Sequence, residues 1–292
     1  GIATVIGTPP NSVLIGLLEN EYNIQISFFK WMLIGLPFSL CLIGLIYFLF
    51  TQVLFSNTGI VFKTDEDVIA QQLQELGPLR RDEKHVLVVF ALMVFFWVFR
   101  TLINSYIPTL GLTDTIISVG GAIALFSIPS DFRNDRFILE WKDTQRLAWG
   151  ILILFGGGLA LAKGMAQTGI VSAITDVISQ ADFNVLLTVS LLIALMLFMT
   201  ELMSNVALVA VLSPVIAGIA MGLDIPIIYM LIPVTMASSC AFMLPMATPP
   251  NAIVFASGYI KVSQMARAGV LINLLAIVLL ILLYQFALPL VF

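Results

Sequence analysis

Charged side chains are scarce in this sequence. Only 10% of its 292 residues are Asp, Glu, Lys or Arg, while 60% are hydrophobic and the mean hydropathy is +1.07. Soluble domains carry about 25% charged residues, so this composition predicts a membrane protein. The net charge of −4 and the lack of a basic run interleaved with aromatic residues give no indication of nucleic acid, and we expect no such partner.

Histidine and cysteine are almost absent too. The one histidine, His85, lies beside Lys84 at the predicted edge of an apolar segment. An intramembrane hydrolase needs a serine activated by a base, and no aspartate within a membrane segment accompanies this histidine. The two cysteines, both in apolar segments, give no disulfide framework. We therefore expect no enzyme activity.

Long apolar segments make up most of the chain. About 20 predominantly apolar residues span a bilayer. The candidates for single crossings are Trp31–Phe50, Val86–Leu102, Thr115–Ile128, Leu147–Met165, Ile225–Met246 and Val270–Leu290. As one helix, the run Val185–Ile219 would be about 50 Å long, against an apolar core of about 30 Å. Its central polar group, Thr200, Glu201, Ser204 and Asn205, predicts a re-entrant hairpin instead.

The distribution of Lys and Arg predicts the orientation. Two stretches, 56–84 and 130–146, carry most of these residues, whereas 104–114 carries none. By the positive-inside rule, both charged stretches are cytoplasmic and 104–114 is external. We expect residues 55–84 to form a cytoplasmic connection that contains a short amphipathic helix.

One tetrapeptide occurs twice. Thr8-Pro9-Pro10-Asn11 returns as Thr248-Pro249-Pro250-Asn251. Because the residue before a proline is disfavoured in a helix, we expect one helix to end near Gly7 and another near Ala247, with a new half-helix beginning at each proline. Lipid offers unpaired backbone groups no partner, so such breaks occur where they line a cavity or bind a ligand. With the orientation above, the two broken helices run in opposite directions, which predicts an inverted repeat.

Each predicted break offers a cation site and an anion site. Carbonyl oxygens freed before the prolines, which have no N–H, favour a small hard cation. The positive end of the outgoing half-helix favours an anion. At the hairpin tip, Ser204 and Asn205 bind a carboxylate or sulfate without a fixed charge, and the Asn205 side-chain carbonyl also suits sodium. The structural alternatives are proline kinks that only bend helices and a polar pair satisfied within the hairpin.

Four motifs together resemble the divalent anion:sodium symporter (DASS) family, which includes INDY-like bacterial sodium/dicarboxylate transporters. They are Gly7–Asn11, Phe155–Leu159, Met203–Val206 and Ala247–Gly258. The resemblance spans nearly the whole chain. It implies an all-α polytopic membrane protein, an inverted-repeat transporter with a re-entrant helical hairpin and two discontinuous helices, of which this chain is the C-terminal part. It also implies an elevator-type mechanism and a homodimer.

The resemblance implies roles for individual residues. Substrate binding is expected at Ser204, Asn205, Val206, Thr248, Pro249 and Thr8. A second sodium is expected at Thr200, the Met203 carbonyl, Asn205 and the Ala247 carbonyl, and a first sodium at the Gly7 carbonyl. Two features depart from the family: Val206 stands where the motif has threonine, and the first of its two Ser-Asn-Thr hairpin tips is absent. We therefore expect the missing N-terminal half of the same protein as a partner.

The same resemblance divides the chain into domains. Residues 1–54 and 171–292 are expected in a transport domain, with a hairpin at about 185–219, a broken helix at about 225–258 and a last span at about 268–290. Residues 85–170 are expected in a scaffold that also makes the dimer, and 55–84 in the cytoplasmic connection.

These expectations define a transport function. We expect sodium-coupled secondary active import of divalent anions, C4-dicarboxylates such as succinate, by a multi-pass protein of the bacterial plasma (inner) membrane. Sodium bound beside the substrate would neutralise its charge, so the site needs no arginine. The alternatives are a sodium-independent anion exchanger and a sulfate or tricarboxylate carrier of the same fold.

Overall fold

The computed structural model describes residues 1–54, 74–131, 136–147, 149–180 and 184–292. Its α-helices are α1 (Pro9–Tyr22), α2 (Phe28–Phe48), α3 (Arg81–Tyr106), α4 (Asp114–Ser127), α5 (Trp149–Gln167), α6 (Ile170–Ser179), α7 (Val185–Thr200), α8 (Asn205–Gly222), α9 (Ile227–Ser238), α10 (Pro249–Ala256), α11 (Val262–Leu282) and α12 (Leu288–Val291). Short 3-10 or π-helical stretches cover Val5–Gly7, Leu49–Leu54, Pro108–Leu110, Trp141–Arg146 and Leu283–Ala287. The chain is therefore mostly helical, as predicted.

A small β-ribbon was not predicted. Strand β1 (Pro129–Asp131) pairs antiparallel with β2 (Arg136–Phe137) in the second charged stretch. Most of the predicted cytoplasmic connection, residues 55–73, lies outside the described part of the chain. Its amphipathic helix therefore stays a prediction.

Several helices match the predicted crossings. Within the described residues, four segments are long and apolar enough to cross a membrane: Phe28–Leu54, Arg81–Tyr106, Asn205–Gly222 and Val262–Val291. Shorter apolar helices of 10–17 residues accompany them. Every apolar segment identified in the sequence contains a helix, although α11 begins earlier than predicted and α6 was missed.

Contacts divide the chain into two compact units. The larger unit consists of Gly1–Ile26, Lys30–Ser56 and Ala148–Phe292, and the smaller unit of Ser27–Phe29 and Asn57–Leu147. Contacts therefore divide the chain after residue 147, whereas the predicted scaffold extends to residue 170, and the transport and scaffold roles stay predictions.

Helix α5 explains the difference in the boundary. It packs against α8, where a Cβ added to Gly158 would lie 2.5 Å from the Cβ of Ala210. A glycine at this position lets the two helices approach closely. The sequence-based division placed α5 with the scaffold helices because its apolar composition does not reveal which neighbour it packs against.

Helix α8 is the centre of the larger unit. It packs against α1, α5, α6, α7 and α9, and buried residues occur along its length. On the α6 side, the Thr175 hydroxyl donates to the Gly218 carbonyl at 3.1 Å. The residue at the start of α8, Asn205, is therefore held by a well-packed element.

In the smaller unit, α3 and α4 form a helical hairpin. The Asn104 side chain donates through Nδ2 to the Leu112 carbonyl at 2.9 Å and accepts the Leu112 N–H at 3.0 Å. Arg100 and Asp114 form an ion pair at 3.0 Å. These contacts close the loop 104–114, for which an external position is predicted.

The long apolar run is interrupted at its polar group. Residues 201–204 separate α7 from α8. The Leu187 N–H donates to Asn184 Oδ1 at 3.0 Å, and the Ala207 N–H donates to Ser204 Oγ at 3.5 Å, so polar side chains cap the first turns of both helices. The predicted re-entrant path stays a prediction.

Both tetrapeptides begin helices at the predicted residue. Helices α1 and α10 start at the first proline, and the preceding threonine is extended in each case. The structure before the second copy differs from the prediction, because α9 ends at Ser238 instead of continuing to near Ala247. Residues 239–247 form turns and irregular backbone, and the cause is a buried carboxylate described below.

A glycine packs against the backbone before each tetrapeptide. A Cβ on Gly35 of α2 would lie 2.8 Å from the Ile2 carbonyl oxygen, and one on Gly269 of α11 would lie 2.4 Å from the Phe242 carbonyl oxygen. Cβ atoms essentially never approach other atoms within 3.0 Å. Both positions therefore require glycine as long as the backbone stays in place.

We expect Gly269→Ala to destabilise the protein by about 1–3 kcal/mol, because the added methyl group overpacks rigid backbone. Gly44 of α2 has nothing within 4 Å of an added Cβ. The matched control Gly44→Ala should therefore be neutral or stabilise by about 0.5–1 kcal/mol through helix propensity. Thermal unfolding of the purified protein in detergent measures both effects, and equal melting temperatures for the two variants would contradict the close packing of Gly269.

Candidate functional site

One cavity brings the two tetrapeptides together. It has a volume of about 540 Å³ and lies within the larger unit. The predicted site residues that line it are Gly7, Thr8, Asn205, Thr248 and Pro249. Among the described residues, no lining side chain is charged. The two breaks and the start of α8 thus face one common space.

The two breaks have the same local backbone geometry. Thr8 has φ −153° and ψ 141°, and Thr248 has φ −144° and ψ 152°. The Asn11 N–H donates to the Thr8 carbonyl at 3.2 Å, and the Ala252 N–H donates to the Thr248 carbonyl at 3.1 Å. Neither threonine side chain caps its helix. The repeated sequence therefore produces a repeated structure. The threonine hydroxyl group of each copy is not used to cap its helix.

The asparagine of each tetrapeptide fixes the backbone before it. Asn11 Nδ2 donates to the Thr4 carbonyl at 2.9 Å, and Asn251 Nδ2 donates to the Leu244 carbonyl at 3.0 Å, each acceptor lying 7 residues earlier. Asn251 also donates to the Ala241 carbonyl at 2.9 Å. The sequence-based prediction used only the backbone of these residues and missed this role of the amides.

Glu201, in the segment between α7 and α8, holds the backbone before the second tetrapeptide. Its side chain is buried, with 3% exposure. Oε1 accepts the Phe242 and Met243 N–H groups at 2.9 and 3.0 Å, and Oε2 accepts the Leu244 N–H at 3.1 Å. The Asn273 amide of α11 donates to Oε1 at 2.8 Å. Four charge-assisted hydrogen bonds thus offset the burial of this carboxylate.

This arrangement explains why α9 stops at Ser238. In a continued helix, the N–H groups of 242–244 would donate to carbonyls four residues earlier. The carboxylate takes these donors instead, so the irregular backbone is satisfied without a helix. The sequence analysis used Glu201 only as part of the polar group of the predicted hairpin. Isolated polar residues in two apolar segments, Glu201 and Asn273, were the signal that could have suggested their pairing.

Thr200, the last residue of α7, contacts the start of α8 and the end of α9. Its hydroxyl oxygen lies 2.6 Å from Asn205 Oδ1 and 2.7 Å from the Ser238 carbonyl oxygen, and the residue is fully buried. Three oxygen atoms therefore crowd one point beside the cavity. Clustered neutral oxygens are the ligands that a hard cation such as sodium prefers.

Backbone dipoles supply charge where the lining side chains have none. Helices α1 and α10 begin at the cavity, so their partially positive ends favour an anion. The C-terminus of α9 also reaches it, and this partially negative end favours a cation. The site can therefore hold ions of both signs.

The other predicted site residues do not line the cavity. Ser204 is exposed and caps α8, Met203 is 50% exposed, and Ala247 immediately precedes the lining residue Thr248. Val206 is 9% exposed and belongs to the hydrophobic core. Successive helix residues point about 100° apart, so Val206 packs into the core while Asn205 lines the cavity. The predicted substrate contact of Val206 stays a prediction.

We expect Glu201→Gln to lower the free energy of unfolding by about 3 kcal/mol, since an amide cannot accept three backbone N–H groups as a carboxylate does. The apparent melting temperature in detergent should fall by about 6–12 °C. Glu75 is exposed, so Glu75→Gln is the matched control and should leave the melting temperature unchanged. A Glu201→Gln protein as stable as the control would rule out this anchoring role.

Comparison with known proteins identifies the family. The family described as the sodium:sulfate symporter transmembrane region matches residues 1–291. A sodium-dependent dicarboxylate transporter of Staphylococcus saprophyticus is 36% identical over 292 residues, which cover 99% of this chain and 56% of the relative. A protein of the same name from Staphylococcus aureus strain USA300 is 35% identical over 294 residues, which cover 100% of this chain and 56% of the relative.

These matches, together with the four described helices able to cross a membrane, confirm the predicted multi-pass location in the bacterial plasma membrane. The matching family description is that of a symporter region, and both relatives carry the name of a transporter. The chain spans 56% of the length of the relatives it matches. It belongs to the family described as the sodium:sulfate symporter transmembrane region.

Proposed function

We propose that this chain carries the ion and substrate sites of a transporter that couples the import of divalent anions to sodium, with C4-dicarboxylates such as succinate as substrates. The observation that carries the proposal is the uncharged cavity in which Thr8, Asn205 and Thr248 meet. The sodium in the family description and the dicarboxylate in the relatives' names support it.

In this proposal, sodium binds at the crowded oxygens of the hairpin tip. Thr200 and Asn205 contribute side-chain oxygens, and Met203 and Ala247 contribute carbonyl oxygens. Gly7 contributes its carbonyl to a further sodium at the first break. The short distances around the Thr200 hydroxyl support a cation at this place. No charged side chain is needed, because the bound sodium and the anion neutralise each other.

The anion binds on the opposite side of the same residues. Asn205, Thr248 and Thr8 face it in the cavity, with Pro249 beside Thr248 and Ser204 at the hairpin tip. Support comes from the partially positive starts of α1 and α10 and from threonine hydroxyls that are not engaged in capping.

The proposed movement is of the elevator type. The larger unit would carry the bound ions, and the smaller unit would be the scaffold through which two copies form a homodimer. The division of contacts at residue 147 and the position of the whole cavity within the larger unit support these roles. The matching dihedral angles at Thr8 and Thr248 support a structural repeat, and the opposite orientation of its two copies rests on the distribution of Lys and Arg in the sequence.

A sulfate carrier is the second candidate, because the matching family description names sulfate. Hydroxyl and amide groups bind sulfate as readily as a carboxylate.

Uptake of labelled succinate by the complete gene product in proteoliposomes separates the candidates. We expect uptake with sodium, loss of uptake when choline replaces sodium, and stronger competition by unlabelled succinate than by citrate or sulfate. Equal uptake in choline would contradict sodium coupling. A protein that takes up sulfate but not succinate would favour the second candidate.

Asn205→Ala should abolish this uptake. The change removes a group proposed to contact both ions. The lost interactions amount to about 3 kcal/mol, which lowers the uptake rate roughly 100-fold. Asn20 is exposed, and its side chain donates to the Gly16 carbonyl at 2.7 Å, outside the cavity lining. The control Asn20→Ala should therefore transport normally. Undiminished uptake by a correctly folded Asn205→Ala protein would refute the role assigned to Asn205.

A further inference from the structure

Ser239 lines the cavity and carries a hydroxyl group without a hydrogen-bond partner among the described residues. It is the residue that follows α9, and it lines the cavity with Asn205 and Thr248. Its Oγ is buried, and no described residue forms a hydrogen bond with it. Buried hydroxyl groups without a partner are rare and costly, so each one calls for an explanation such as a bound ion. Nothing in the local sequence had singled out this residue.

Polar groups cluster at the end of α9. The Thr200 hydroxyl oxygen lies 2.6 Å from the Asn205 side chain and 2.7 Å from the Ser238 carbonyl oxygen. Ser239 directly follows this carbonyl and is the C-cap residue of α9. The partially negative C-terminus of the helix favours a cation beside these neutral oxygens.

We propose that the Ser239 hydroxyl oxygen is a further ligand of the sodium ion that binds at Thr200 and Asn205. This inference rests on the proposed function. Ser239 directly follows the carbonyl that lies against the Thr200 hydroxyl, and it shares the cavity with Asn205. A cation would give its unpaired oxygen a partner, whereas an anion at this point would face the negative end of α9.

The test measures sodium and substrate dependence separately, in the complete gene product in proteoliposomes. Ser239→Ala should raise the sodium concentration for half-maximal uptake by about five-fold, because the ion loses one weak neutral ligand. The KM for labelled succinate at saturating sodium should not change. Ser239→Thr, which keeps the oxygen, should behave like the wild type.

Ser213 provides the matched control. It is also a buried serine whose hydroxyl has no partner among the described residues, but it lies within α8 and does not line the cavity. Ser213→Ala should leave the sodium dependence unchanged. A raised KM with unchanged sodium dependence in Ser239→Ala would overturn the proposal in favour of an anion contact. Unchanged values of both would overturn it as well.

A second variant covers a failure of Ser239→Ala to fold. Ser239→Cys keeps a side chain of similar size but offers sulfur, a poor sodium ligand. The rise in melting temperature that sodium causes in the purified protein should be smaller in this variant, and a rise equal to that of the wild type would overturn the proposal. Wild-type uptake that does not depend on sodium would instead refute the proposed function. If wild-type uptake depends on sodium and Ser239→Ala has the same sodium dependence as the wild type, only the ligand role of Ser239 is refuted.

Discussion

A carboxylate buried among backbone N–H groups holds the candidate site in shape. In an apolar environment, each N–H without an acceptor is strongly unfavourable. Glu201 accepts the N–H groups of residues 242–244, and these donors together with the Asn273 amide make its own burial tolerable. The backbone can therefore remain irregular between α9 and α10. Ser239 and Thr248, on either side of this irregular backbone, both line the cavity.

The two breaks reach the same geometry with different supports. Both use an asparagine that donates to a carbonyl 7 residues earlier. In the first copy, α2 adds a hydrogen bond from Trp31 Nε1 to the Ile2 carbonyl at 2.9 Å. In the second copy, Glu201 takes the N–H groups instead. The shared tetrapeptide therefore defines the start of the half-helix, while the surrounding helices satisfy the backbone before it.

The cavity combines opposite preferences without fixed charges. Two helix starts bring partial positive charge, and the end of α9 with the oxygens near Thr200 brings partial negative charge. Such a site favours a cation and an anion bound together over either ion alone, because each ion reduces the electrostatic cost of the other. This property would give the proposed sodium-coupled transport a physical basis.

Local sequence determined the membrane class, the approximate helices and the helix starts at Pro9 and Pro249, because apolar composition and proline stereochemistry act over a few residues. The motifs also led to the right family. Tertiary structure alone decided where α9 ends, which unit holds α5, and that Val206 faces the core. These features depend on partners far away in the chain, such as Glu201 with the Phe242 N–H 41 residues later. Buried polar groups must find a partner wherever the fold supplies one, and no local pattern reveals which partner that is.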